Sequence, residues 1–252
     1  MRGVALVTGA AKRIGRTIVE DLAAHGFSVV IHANRSFDAA EDLAAQLRGK
    51  GHAAQAVMAD LCDMTAVRGL VERAEAVAGA PVDLLVNNAS LFEDDTIGAL
   101  DDEIWARHFA VHAQAPALLA EALAARLPGD SDALIVNMID QRVWRLTPNF
   151  FSYTLSKSTL WTATRTMAQA LAPRIRVNAI GLGPALKSAR QSEEDFGRQT
   201  DAVPLQRGPA LDEIGATIRY LWGSRSITGQ MIALDGGQHL AWKTPDVAGI
   251  AE

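Results

Sequence analysis

Apolar residues fall along this chain in two alternating textures. Short runs rich in Val, Ile and Leu recur at 4–8, 28–33, 53–58, 82–87, 133–139, 175–180 and 231–234. Between them lie longer Ala/Leu-rich stretches with apolar positions at helical spacing, over 14–25, 37–49, 64–78, 101–126, 152–172 and 211–223. A short unbroken apolar run suits a strand buried on both faces, and an apolar stripe at helical period suits a helix lying on such a sheet. Regular alternation of the two predicts crossover connections and an α/β fold: one doubly wound sheet of seven parallel strands with helices on both faces. Ligands of such a sheet bind beyond the carboxyl ends of its strands, so the turns that follow the apolar runs are where chemistry is expected.

Composition narrows the picture. With 252 residues, 49% hydrophobic and 21% charged, the chain can bury one sizeable core, and residues 1–252 are expected to form a single domain. The stretch 184–209 is polar and interrupted by proline and glycine, which predicts a mobile flap over the site. The tail after Trp242 lacks periodicity and is expected to extend over a neighbouring surface. A net charge of -5 argues against nucleic acid as a partner, because that affinity comes from clustered Lys and Arg. The one cysteine, Cys62, cannot form an internal disulfide, and no Cys/His spacing suggests a metal. No leader-like stretch opens the chain and no run approaches the length of a membrane span; a soluble, cytoplasmic protein is expected.

The first apolar run ends in Thr8-Gly9-Ala10-Ala11-Lys12-Arg13-Ile14-Gly15. A glycine-bearing turn that opens a helix lets backbone approach a phosphate at the positive helix end, the arrangement of a Rossmann-type dinucleotide site. Two glycines would also serve a plain strand-to-helix turn. The second run ends in His32-Ala33-Asn34-Arg35-Ser36, with no acid before Asp38 to bind ribose hydroxyls or repel a 2′-phosphate. Arg35 and Ser36 are donors there, and Lys12 and Arg13 add positive charge on the facing loop, which favours NADPH over NADH. Asp60 and Leu61 either lie near the adenine or, for Asp60, cap the next helix. Asn88, Ala89 and Ser90 would close the floor under the nicotinamide ribose, with turn formation as the alternative for the asparagines.

Tyr153 and Lys157 stand at i and i+4 near the start of a predicted helix and so share one face. A phenol beside an ammonium and a cationic nicotinamide can work as an acid near neutral pH, with Lys157 also holding ribose. Alone, such a pair occurs on helices by chance.

Taken in order, the glycine turn at 8–15, Asn87-Asn88-Ala89, the fifth apolar run and Tyr153 with Lys157 resemble the short-chain dehydrogenase/reductase family. Arg176-Val177-Asn178-Ala179-Ile180, Thr228-Gly229 and Asp235-Gly236-Gly237 extend the resemblance over nearly the whole chain. The departures are informative. Arg13 stands where the family places its middle glycine, Asp140 where it places the catalytic serine, and His112 where it places an asparagine that holds a relay water. Leu182-Gly183 replaces the customary Pro-Gly, leaving Gly183 beside the cofactor. Arg13 and Asp140 resemble a particular branch, the pteridine and dihydromonapterin reductases. That resemblance implies a pterin-like substrate, Tyr153 and Asp140 as a proton-delivery pair, and a Lys157 that lowers the Tyr153 pKa and orients the ribose. It further implies that Phe92 stacks the pterin, that Arg13 reaches both cofactor and substrate, and that Gly9, Lys12, Ile14 and Asn34 serve the cofactor. It also implies a homotetramer built on the long helices at 101–126 and 152–172.

Each residue keeps a plainer alternative: Asp140 a helix cap, Phe92 core packing, and Trp144, Phe150 and Phe151 either pocket lining or packing. At the level of function, the alternatives are a short-chain reductase of carbonyl compounds, for which serine would be expected in place of Asp140, and a non-catalytic NADP(H)-binding sensor.

Overall fold

The computed structural model describes residues 2–188, 190–244 and 248. Seven strands form one parallel sheet in the order β3-β2-β1-β4-β5-β6-β7: β1 Val4–Val7, β2 Ser28–Ala33, β3 Ala54–Met58, β4 Leu84–Asn87, β5 Ala133–Asp140, β6 Ile175–Leu182 and β7 Met231–Leu234. Every expected strand is present, and both faces of the sheet are covered. The side chains show why the runs are unbroken: Ala5, Val7, Leu84 and Val86 pack into one core layer, while Val4, Leu6 and Leu85 between them pack into the other. With a period of two and apolar layers on both sides, every position must be apolar.

The helices present matching stripes. In α1 (Arg13–Ala24) the buried residues are Gly15, Ile18, Val19, Leu22 and Ala23, and in α2 (Phe37–Gly49) they are Ala40, Leu43, Ala44 and Leu47. Both series step by three and four, one face of an α-helix. Burying each Leu or Ile stabilises the fold by roughly 1.5–3 kcal/mol. The stretch 64–78 is two helices, α3 (Met64–Arg68) and α4 (Leu70–Ala78), parted at Gly69, the poorest helix former there. The stretch 101–126 is likewise interrupted. A π-helical turn, Ala110–Gln114, separates α5 (Asp102–Phe109) from α6 (Ala115–Arg126). Pro116 has no N–H to offer the carbonyl of His112, so the regular hydrogen-bond ladder fails there and the turn widens.

Helix α7 (Phe151–Leu171) runs along β6 and carries Tyr153 and Lys157. The expected flap at 184–209 is more ordered than its composition suggested: it holds α8 (Glu193–Asp201), whose Ser192 cap accepts from the Asp195 N–H. The cap followed by Glu193-Glu194-Asp195 in the first turn is the sequence signature that marks this helix. Helix α9 (Leu211–Gly223) completes the set. The tail beyond Trp242 lies largely outside the described residues. No helix among those described is long and apolar enough to cross a membrane.

Candidate active site

Strand order reverses between β1 and β4, so the crevice beyond their carboxyl ends is where two oppositely directed crossovers leave room for a ligand. The turn after β1 fits closely against the segment after β4. Gly9 has φ +62, and a Cβ there would stand 2.7 Å from the Ala89 Cα, so only glycine permits the approach. Asn88 ties the two together: its side-chain amide donates to the carbonyls of Thr8 (2.8 Å) and Gly9 (3.0 Å). Asn88 therefore braces the turn, which the sequence left open between floor and turn former.

A cavity of about 520 Å³ lies beside this turn, lined by Gly9, Lys12, Asn34, Arg35, Ser36, Asp60, Leu61, Ala89 and Ser90, among others. Sequence reasoning had assigned all nine to a cofactor. Asp60 accepts the Cys62 N–H at 2.9 Å and so also shapes its own turn. Among the lining residues not assigned from the sequence, His32 carries a polar role. His32 accepts the Gly9 N–H on Nδ1 at 3.1 Å, and Nε2 faces the Ala59 carbonyl at 3.1 Å. That pattern requires the neutral tautomer with its proton on Nε2, and burial holds the pKa down to about 4.

A second cavity, of about 510 Å³, shares Ser90 with the first and opens at the carboxyl ends of β4, β5 and β6. Arg13, Ile14, Asn88, Phe92, Asp140, Tyr153, Lys157 and Gly183 all line it. Gly183 fits closely too, since a Cβ there would lie 2.6 Å from the Asp235 Cα. Arg13 opens α1 at φ +54, the left-handed backbone for which glycine is the usual choice. Its guanidinium crosses the crevice and donates to the Lys187 carbonyl at 2.9 Å, tying the cofactor turn to the segment after β6.

Asp140, the last residue of β5, combines both expected roles on different oxygens. Oδ1 accepts the Arg142 N–H at 2.9 Å and caps a short 3₁₀ turn, Gln141–Val143, while Oδ2 accepts the Tyr153 hydroxyl at 3.2 Å. Burial raises the Asp140 pKa above the usual carboxylate range, against the Arg142 and Lys157 charges that lower it. Burial, then Asp140, push the Tyr153 phenol well above 10, outweighing Arg142 and Ser90. The expectation that Lys157 lowers the phenol is not met. Its Nζ lies 5.9 Å from the ring centroid and donates to the Met138 carbonyl at 2.9 Å, and burial brings its own pKa down to about 8. Desolvation wins because a charge on any of these groups loses more hydration than its neighbours restore. Both groups therefore hold a proton more tightly than the free side chains do.

Phe92 stacks face to face with Phe150 (centroids 4.3 Å apart, interplanar 14°) and meets Tyr153 edge-on at 4.7 Å. Phe150 thus lines the pocket, whereas Trp144 packs on His239 and Trp161, and Phe151 against Trp105. His112, in the asparagine's place, has both nitrogens engaged. Nε2 accepts the Leu91 N–H at 3.1 Å with the Ser90 hydroxyl also at 3.1 Å, so the Nδ1 proton faces Ser156 Oγ at 2.8 Å. It locks the Ser90 loop to α7 and offers no nitrogen to a relay water, and burial lowers its pKa well below the ordinary imidazole value.

Fold and site together define a short-chain dehydrogenase/reductase. The chain belongs to that oxidoreductase family: the family model described as Enoyl-(Acyl carrier protein) reductase matches residues 9–239. Within the family, the chain is similar to a crystal structure of FolM alternative dihydrofolate reductase 1 from Brucella suis in complex with NADP, at 62% identity over 98% of each chain and a TM-score of 0.95. It is 30% identical to dihydromonapterin reductase of Klebsiella pneumoniae subsp. pneumoniae, over 93% of this chain and 96% of that protein. It is 33% identical to pteridine reductase 1 of Leishmania tarentolae, over 94% and 96% respectively.

Proposed function

We propose that this protein is an NADPH-dependent reductase of pterins, acting on the C=N bond of a dihydropterin, dihydrofolate included. The observation that carries the reading is the part-buried hydrogen bond between Tyr153 and Asp140 at 3.2 Å. A carbonyl reductase needs one proton donor at an oxygen. A pterin needs a proton at a ring nitrogen and hydrogen-bond partners along its amide edge, which a carboxyl group supplies.

The residues of the first cavity fit the cofactor. Gly9 admits the pyrophosphate beside the amino end of α1, and Lys12, Arg35 and Ser36 suit a 2′-phosphate. When bound, NADPH supplies the hydride. Lys157, held by the Met138 carbonyl, orients the ribose. Tyr153 gives its proton to the ring nitrogen as the adjacent carbon gains the hydride, so C=N becomes CH–NH. Asp140 then restores the phenol proton. Burial raises the proton affinity of both groups, which favours proton storage in the pair. Phe92 would hold the flat ring, Arg13 would bridge cofactor and substrate, and the segment 184–209, tethered through Arg13, would serve as the flap of a single domain. A homotetramer is the assembly that the family resemblance implies, and a cytoplasmic location is the one expected from the sequence pattern.

The test follows NADPH absorbance with dihydropterins, dihydrofolate and small ketones as acceptors, for the wild type, Asp140→Ser and Tyr153→Phe. The reading expects pterin-dependent oxidation that falls roughly 10²–10⁴-fold in each variant, the usual contribution of a positioned acid. Turnover of ketones alone, with Asp140→Ser active, would leave a carbonyl reductase instead.

A further inference from the structure

The second cavity is more cationic than a neutral pterin requires. Arg13, Arg142, Lys157 and Arg190 line it, against the two carboxylates Asp94 and Asp140. Asp140 is already engaged by Tyr153 and, at 3.8 Å, by the Arg142 side chain. Arg190 has no carboxylate partner among the described residues. It donates through one terminal nitrogen to the Phe92 carbonyl instead.

Arg142 and Arg190 converge on one feature. The Arg190 guanidinium carbon lies 5.2 Å from the Phe92 centroid and 5.5 Å from that of Phe150, and that of Arg142 lies 5.5 Å and 5.0 Å away. Each guanidinium is nearly equidistant from the two rings, so both sit on the flanks of the stacked pair. Phe150 holds a left-handed backbone, φ +55, at the start of α7, strain that a bulky residue adopts only under constraint. The result is a rigid aromatic post flanked by two planar forks, and such forks match carboxylate geometry. Lys12 and Arg35 already supply positive charge to the cofactor cavity, which leaves Arg190 for an anion on the substrate.

We propose that Arg190, with Arg142 and the Phe92–Phe150 pair, forms a subsite for a carboxylate-bearing tail on the pterin ring, so that the chain prefers anionic-tailed dihydropterins to neutral-tailed ones. The proposal rests on the pterin reading above and adds the feature that selects among pterins. With Phe92 against the ring, Phe150 takes the apolar part of the tail and the arginines take its charge.

The test measures kcat/KM for dihydrofolate, whose tail carries carboxylates, and for dihydrobiopterin, whose tail is neutral. Loss of a charge-assisted contact predicts that Arg190→Gln lowers the dihydrofolate-to-dihydrobiopterin ratio about tenfold, mainly through the dihydrofolate KM. Arg190→Glu lowers it further, Arg190→Lys restores part of it, and added salt narrows the wild-type preference. A loop merely loosened by the substitution would affect both substrates alike. A ratio that stays within twofold for Gln and Glu overturns the subsite while leaving pterin reduction intact. A wild type that reduces neither pterin but oxidises NADPH with ketones overturns the pterin reading and the subsite with it.

Discussion

Two residues in the site hold backbone conformations that their side chains disfavour, and both reach into the substrate cavity. Arg13 has φ +54, which costs about 1–2 kcal/mol relative to ordinary helix geometry. Glycine would relieve this strain, so Arg13→Gly is expected to raise stability by about 1 kcal/mol. The same change removes the bond to the Lys187 carbonyl, so the KM for NADPH or the pterin should rise. Thermal unfolding and steady-state kinetics on one preparation check both signs. Loss of stability with unchanged KM would show that the arginine serves only packing. The pattern of legible residues follows from this scale. Tyr153 and Lys157 could be found from helix spacing, and Asp140 from the place it takes in the family resemblance. Phe150 was legible only as either lining or packing, and Arg142, Arg190 and His32 were not legible, because their roles arise where distant segments meet, as Arg190 meets the Phe92–Phe150 stack. The pKa of Tyr153 was misjudged for a related reason: spacing places Lys157 on the same face but says nothing of how far burial outweighs it.

At the scale of elements, the strands were legible to within two residues and the helix interruptions were not. An apolar run fully buried on both faces leaves little ambiguity, whereas the break at Gly69 and the π turn ahead of Pro116 depend on local hydrogen bonding that periodicity averages over. The strut from β2 gives a prediction of its own. His32 joins the turn after β1 to the Ala59 carbonyl after β3, with its pKa lowered from 6.5 to about 4. Between those values the unfolded chain binds the proton and the folded one does not, so stability rises with pH across the window and is lost as pH falls through it. The contribution is on the order of 3 kcal/mol. Chemical denaturation should therefore show wild-type stability exceeding that of His32→Gln at pH 7, with the gap closing toward pH 4. A gap independent of pH would mean that the imidazole does not titrate with unfolding.

Across the whole molecule, two cavities of similar size meet at Ser90, one basic at the end of β2 and one built around the Tyr153–Asp140 bond. The division separates cofactor choice from chemistry. Arg35→Glu should therefore raise the KM for NADPH at least tenfold, narrow the preference over NADH, and leave the pH dependence of hydride transfer in place. An unchanged NADPH KM would remove Arg35 from the 2′-phosphate site. The central claim is that the hydride goes to a pterin. The most direct measurement uses NADPH deuterated on its transferable position, incubates it with a dihydropterin and the wild-type protein, and reads the product by mass spectrometry. The account predicts a tetrahydropterin carrying one deuterium on a ring carbon, and only background label with Asp140→Ser or Tyr153→Phe. Unlabelled pterin, with deuterium delivered instead to an added ketone, would contradict it.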